Sequence, residues 1–161
     1  MAIYVKYTTP AITGDVTTKG FAGQFEAHSF QFGVGRAVGS PIGASSNRET
    51  STPSVSEIVL TKPYDQATGG LIKESLSGAG KATAVISFVR TDGGGGVVFA
   101  EYTLTDVMLS GWSTSSGGDK PSESISLNFT KVQIKLTPQK DDGTPGTPST
   151  IIYDLAQQTA T

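Results

Sequence analysis

Residues 122–139, SESISLNFTKVQIKLTPQ, constrain the fold more tightly than any other part of this chain; the polar turn Lys140-Asp141-Asp142-Gly143 follows them. They read as one long strand that changes phase partway. Ile125, Leu127 and Phe129 alternate on one face, whereas Val132, Ile134 and Leu136 alternate on the other. Successive side chains of a strand point to opposite faces, with period 2. The parity switch between Phe129 and Val132 therefore requires a bulge, a bend or burial on both sides. A strand this long is unusual in a small domain. It points to sheet used to build a large surface, as in a part of an assembly rather than around an enzyme pocket.

The remainder of the chain is also written for sheet. Glycine is frequent, at 20 of 161 residues, and runs of strong helix formers are scarce, which favours strands joined by turns. The length suits one domain, 1–161, with its own core. A net charge of −2 and a pI near 5.3 give no basic excess for nucleic acid and no polybasic block for anionic lipid. No window approaches the roughly 20 apolar residues of a membrane-spanning helix, so no membrane insertion is expected. The absence of cysteine removes disulfides, thiolate metal sites and cysteine nucleophiles together. The opening MAIYVKYTTP is too polar for a secretory leader. The protein is expected to be made in the cytoplasm and, if exported, to leave without a cleaved signal.

Local patterns place the elements. Strands are expected over 3–7, 24–35, 54–62, 81–90, 97–104, 107–113 and 150–155, besides the long one. In 24–35, Phe30, Phe32 and Val34 are expected to form a buried stripe, opposite Phe25, Ala27, Ser29 and Gln31. Asp92-Gly93-Gly94-Gly95-Gly96 marks a hairpin turn. Residues 65–76 are the helix candidate, with Ala67, Leu71, Ile72, Ser75 and Leu76 on one face, Asp65 or Thr68 at its start and Gly78 at its end. Residues 37–53 carry Gly39, Pro41, Gly43 and Pro53 without periodicity and read as a long loop, a class that is usually functional or disordered. The expected fold is mainly β: a small barrel of antiparallel strands with one short α-helix packed alongside.

The chemistry of catalysis is missing. His28 is the only histidine, which leaves a catalytic triad or a histidine metal site without parts. Gly78-Ala79-Gly80-Lys81 has Ser75 where a phosphate loop needs glycine and Ala82 where it needs Ser or Thr. Gly33-Val34-Gly35 has Val38 in place of the third glycine of a dinucleotide fingerprint. Asp141-Asp142-Gly143 is too short for a calcium loop. Glu26, Glu57, Glu101 and Glu123 lie on different strands with no spacing that pairs them for glycoside hydrolysis. No catalytic residue, cofactor site or metal site is expected, and the protein is not read as an enzyme. Trp112 and Phe21 read first as core or interface aromatics and second as stacking surfaces for a sugar.

Four segments, in order, carry a family resemblance. Ile12-Thr13-Gly14-Asp15-Val16 resembles the opening Ile-x-Gly-Glu segment of the Hcp family, the haemolysin-coregulated tube proteins of type VI secretion. Residues 26–34, EAHSFQFGV, resemble its strand ending in Ser-Trp-x-Trp-Gly, with Phe30 and Phe32 where tryptophans are common. Residues 58–77, IVLTKPYDQATGGLIKESLS, are similar to its helix segment, with Gly69 where proline is usual. Glu123 to Phe129, ESISLNF, followed by Pro138-Gln139, matches its Glu-x-x-x-Leu-Asn-Phe and Pro-Gln signature.

The resemblance implies a tube protomer that forms hexameric rings. The rings stack into the inner tube of a contractile sheath, which is expelled with a spike and small effector proteins. Partners would then be other copies of the chain, spike and sheath proteins, and effectors held in the lumen. Ser29, Gln31 and Ser115 are the expected lumen contacts. Ser40, Asn47, Arg48 and Glu49, in the long loop, are the expected contacts between stacked rings. Two other readings stand beside this one: a tail-tube protein of a phage or related injection machine, and a carbohydrate-binding β-sandwich that uses Trp112.

Overall fold

A computed structural model describes residues 1–39, 49–92 and 95–161. In chain order the elements begin with β1 (Ala2–Thr8), β2 (Phe25–Ala27), β3 (Ser29–Gln31), β4 (Val34–Gly35) and β5 (Val38–Gly39). Next come β6 (Glu49–Thr50), β7 (Ser54–Val55), β8 (Ile58–Pro63), α1 (Thr68–Ser77) and β9 (Ala82–Asp92). The series ends with β10 (Gly95–Ser115), β11 (Ser122–Asn128), β12 (Lys131–Leu136), β13 (Ser149–Asp154) and β14 (Thr159–Ala160). Every strand pairing among the described residues is antiparallel. With one short helix among the described residues, the mainly β expectation holds.

The long strand is not where the phase pattern put it. Residues 122–136 form two strands, β11 and β12, and the break falls at Phe129 and Thr130. The chain's longest strand is β10, with 21 residues, where two separate strands were expected. One cause explains both. β11 pairs with the C-terminal half of β10 and β12 with its N-terminal half, so the two strands share one edge of β10 in succession. At the junction β10 itself bends: Asp106 has φ 53, and its register with β9 shifts between Leu104 and Val107. Thr130 tracks that bend through its N–H to the Thr105 carbonyl (3.0 Å) and its hydroxyl to Asp106 Oδ2 (3.1 Å). The bend rotates the partner strand, so Ile125 and Leu127 before it and Val132 after it are all buried.

The same device acts at His28. Phe25 and Ala27 are buried, but the next inward side chains are Phe30 and Phe32, and the three-residue step from Ala27 to Phe30 reverses the parity. Of the expected stripe, Phe30 and Phe32 pack against the core as read, but Val34 is 60% exposed, and Phe25 and Ala27 on the face read as opposite are buried too. The cause is a change of partner: β2 pairs with β1, whereas β3 pairs with β8. Between them the His28 N–H donates to the Thr61 carbonyl at 2.7 Å. Pairing runs β2–β1–β9–β10–β11–β8–β3, and β2 continues into β3 across His28. The strands wrap one core of Val5, Phe25, Leu60, Ile86, Leu104 and Ile125 among others, though the ladder is interrupted at His28 and does not close.

Two further expectations change. In α1 the buried side is Thr68 and Leu71, continued by Ala67, while Leu76 is 81% exposed. Asp65 accepts the Ala67 N–H through Oδ1 (2.9 Å), fixing the entry turn. Gly78 ends the helix in extended conformation; a Cβ there would lie 2.5 Å from the Glu74 carbonyl oxygen. The expected loop 37–53 is in part a paired arm. β4 pairs with β7 and β5 with β6, and Ala37 and Ser51 exchange backbone and hydroxyl bonds between them.

Candidate functional site

Strand alternation decides what each face of the sheet displays. In the smaller sheet half, β3–β8–β11 and the C-terminal half of β10, the inward row holds Phe30, Leu60, Ile125 and Leu127. The outward row is Ser29 and Gln31 on β3, Val59, Thr61 and Pro63 on β8, and Ser122, Ser124, Ser126 and Asn128 on β11. Met108, Gly111, Ser113 and Ser115 complete it on β10. No Asp, Glu, Lys or Arg occupies these strand positions. Hydroxyls meet across the strands: Ser29 bonds Thr61, Ser113 faces Ser124 and Ser115 faces Ser122 in register. At one margin Tyr64 donates to Thr114 Oγ1 (2.8 Å). At the other, Glu57 accepts from Ser110 Oγ (2.6 Å) and Asn128 Nδ2 (3.4 Å).

The outward face of the larger half, built from β1, β9, the N-terminal half of β10 and β12, is different. There Lys6, Glu101, Lys131 and Lys135 occupy the equivalent rows. The chain thus puts charge on one sheet face and withholds it from the other.

The structure brings the three residues expected at a lumen, Ser29, Gln31 and Ser115, onto this one uncharged face, and all three are exposed. Of the four residues expected to join stacked rings, Ser40, Asn47 and Arg48 lie outside the described residues. Glu49 opens β6, opposite Gly39.

Beneath the hydroxyl face lies a charged group that the sequence reading passed over. Lys62 and Glu123 are fully buried, and Lys62 Nζ donates to Glu123 Oε1 at 2.6 Å. The same ammonium reaches Asp65 Oδ1 (2.8 Å) and the Pro63 carbonyl (2.9 Å) and sits 5.6 Å from the centre of the Phe25 ring. Trp112 Nε1 donates to the second Glu123 oxygen at 3.3 Å. The ammonium's three protons all have acceptors, which is the condition for tolerating a buried charge. Trp112 packs against the core, so its ring is not a free platform for a sugar. The signal was legible: Lys62 is in phase with Ile58 and Leu60, and Glu123 with Ile125 and Leu127.

Tyr7 makes a second link, from the barrel to the helix. Its hydroxyl donates to Glu74 Oε2 at 3.1 Å. Burial first, then the charge of Glu74 and this bond, push the phenol well above its ordinary 10.0. Burial also raises Tyr102. Among the described residues no three His, Cys, Asp or Glu side chains are grouped to hold a metal ion, and no helix is long and apolar enough to cross a membrane.

At the base of the arm an apolar groove opens, lined by Phe32, Val34, Val55, Ile134, Ile151 and Tyr153. Val34 and Ile151 are 60% and 45% exposed.

Comparison with known proteins agrees with this architecture. The family described as "Type VI secretion system effector, Hcp" matches residues 4–136. The protein hcp1 of Pseudomonas aeruginosa is 34% identical over 91 residues, which are 55% of this chain and 56% of that protein. The chain thus matches little more than half the length of that curated relative. Among solved structures, one described as a type six secretion system protein superposes with a TM-score of 0.89 at 22% identity, covering 99% of both chains. Hcp1 from Salmonella typhimurium superposes at 0.73 with 20% identity, over 99% of this chain and 98% of that one.

Proposed function

The chain belongs to the Hcp family of type VI secretion proteins, and on that premise we propose that it is a structural tube protomer rather than a catalyst. In this reading the whole chain, 1–161, acts as one unit. Copies associate into hexameric rings, and rings stack into the inner tube that is expelled from the cell. The uncharged face carrying Ser29, Gln31 and Ser115 lines the lumen and meets small effector proteins. The arm reaches the next ring, with Ser40, Asn47, Arg48 and Glu49 as its contacts. Spike and sheath proteins are the other partners. Export follows from expulsion of the tube and needs no cleaved leader.

The observation that supports this reading best is the exposed apolar groove beside the arm. A cyclic assembly needs two different patches on each protomer, and the groove supplies one of a kind that water disfavours. Negative-stain microscopy of the purified protein tests the proposal. Rings are the expected result. A protein that stays monomeric in sedimentation across micromolar concentrations would sink it.

A further inference from the structure

We propose that the hydroxyl-covered face accepts folded protein cargo without selecting it by charge. The inference rests on the reading of that face as the lumen and adds what the lumen recognises. Ser29, Thr61, Ser113, Ser115, Ser122 and Ser124 offer donors and acceptors that rotate to suit either partner. None carries a fixed charge, and none of the other strand positions on this face is Asp, Glu, Lys or Arg.

The contrast within one molecule carries the argument. The outward face of the other sheet half bears Lys6, Glu101, Lys131 and Lys135, so nothing about strand surfaces in this chain forbids charge. The carboxylate at the margin, Glu57, already accepts from Ser110 and Asn128. Repetition around a ring would multiply any fixed charge on each protomer. Such a surface would concentrate oppositely charged proteins and repel the rest. An uncharged hydrogen-bonding surface does neither. Its contacts exchange with water at little net gain, which suits cargo that must be released.

The test uses the full-length protein and three versions of one small fluorescent protein, made acidic, near-neutral and basic by surface substitution. Retention by the wild type is expected to differ by less than about twofold among the three, and between about 50 and 500 mM NaCl. Ser113→Glu, at an exposed position, is expected to raise retention of the basic probe about tenfold at low salt and to lose that gain at high salt. Ser115→Glu is the second variant and should behave alike. A wild type that favours one charged probe about tenfold at low salt overturns the inference. So do two folded glutamate variants that both leave retention unchanged, because the face would then not meet cargo. Microscopy of the same samples separates the two ideas: absent rings defeat the tube reading, whereas intact rings that select by charge defeat only this one.

Discussion

Lys62 and Glu123 pose the sharpest question at the scale of single residues, because two fully buried charges must be held by geometry. Removing Lys62 strands the Glu123 carboxylate in a buried site, which costs about 3–5 kcal/mol, whereas removing Glu123 leaves Lys62 paired with Asp65 and costs less. Lys62→Met is expected to lower the unfolding free energy from urea titration by that order and Glu123→Leu by less, whereas the double variant recovers much of the Lys62→Met loss. A double-mutant cycle measures the coupling. Singles that each cost less than about 1 kcal/mol would mean the pair is hydrated, and the account of it is wrong. Tyr7 gives a pH signature. Its folded-state pKa is raised, so its contribution is complete below 10.0 and is lost as pH rises through the folded value. The melting temperature of the wild type should therefore fall more steeply above pH about 10 than that of Tyr7→Phe. Parallel curves would rule Tyr7 out as the cause. Parity along β8 and β11 made the burial of Lys62 and Glu123 readable in the sequence. What it could not supply was the partner, because strand pairing across 61 residues leaves no local trace.

At the scale of elements, periodicity located most strands and failed where the chain changes partners. The runs around Val5, Leu60 and Ile86 were legible because each strand keeps one partner on each side. His28 was not, because a bend that hands a strand from one neighbour to another reverses parity without changing composition, whereas at Thr130 the reversal between Phe129 and Val132 signalled a bend but not the change of neighbour behind it. The same logic explains why 122–136 looked continuous although β10 is the longer strand. Glycines at element ends test how far local geometry fixes these junctions. Gly14 packs its backbone against β2, and a Cβ there would lie 2.5 Å from the Gln24 carbonyl oxygen and Phe25 Cα. Gly69, on the exposed side of α1, would meet nothing. Gly14→Ala is expected to destabilise strongly, and Gly69→Ala to stabilise by up to about 1 kcal/mol. Thermal melts of the two variants check both signs. A neutral Gly14→Ala would show that the segment before β2 shifts freely.

At the scale of the whole molecule, the surfaces divide by chemistry: a charged sheet face, an uncharged one, and an apolar groove beside an arm. Each is poorly suited to the others' task. The sequence displayed the serines of 122–126 and the valines of the arm, but only the fold shows that Ser29, Gln31 and Ser115 share a face. Likewise, only the fold brings Val34 and Val55 beside Ile151. If the groove joins neighbouring protomers, charge introduced there must break the ring while leaving the protomer folded. Val34 and Ile151 already lie at the surface, so an aspartate at either has water available and costs the monomer little, within about 0.5 kcal/mol. Buried against a neighbour, the same carboxylate has no partner and is costly. Val34→Asp and Ile151→Asp are therefore expected to shift sedimentation from ring to monomer with an unchanged melting curve for the protomer. Deletion of residues 40–51 is expected to act at the other level, leaving rings but preventing their stacking. Rings that persist in both aspartate variants would move the subunit contact away from the groove. Tubes that form normally after the deletion would remove the arm from the stacking contact, and the two results together would leave the open edges of β3 and β14 as the surfaces on which assembly must be sought.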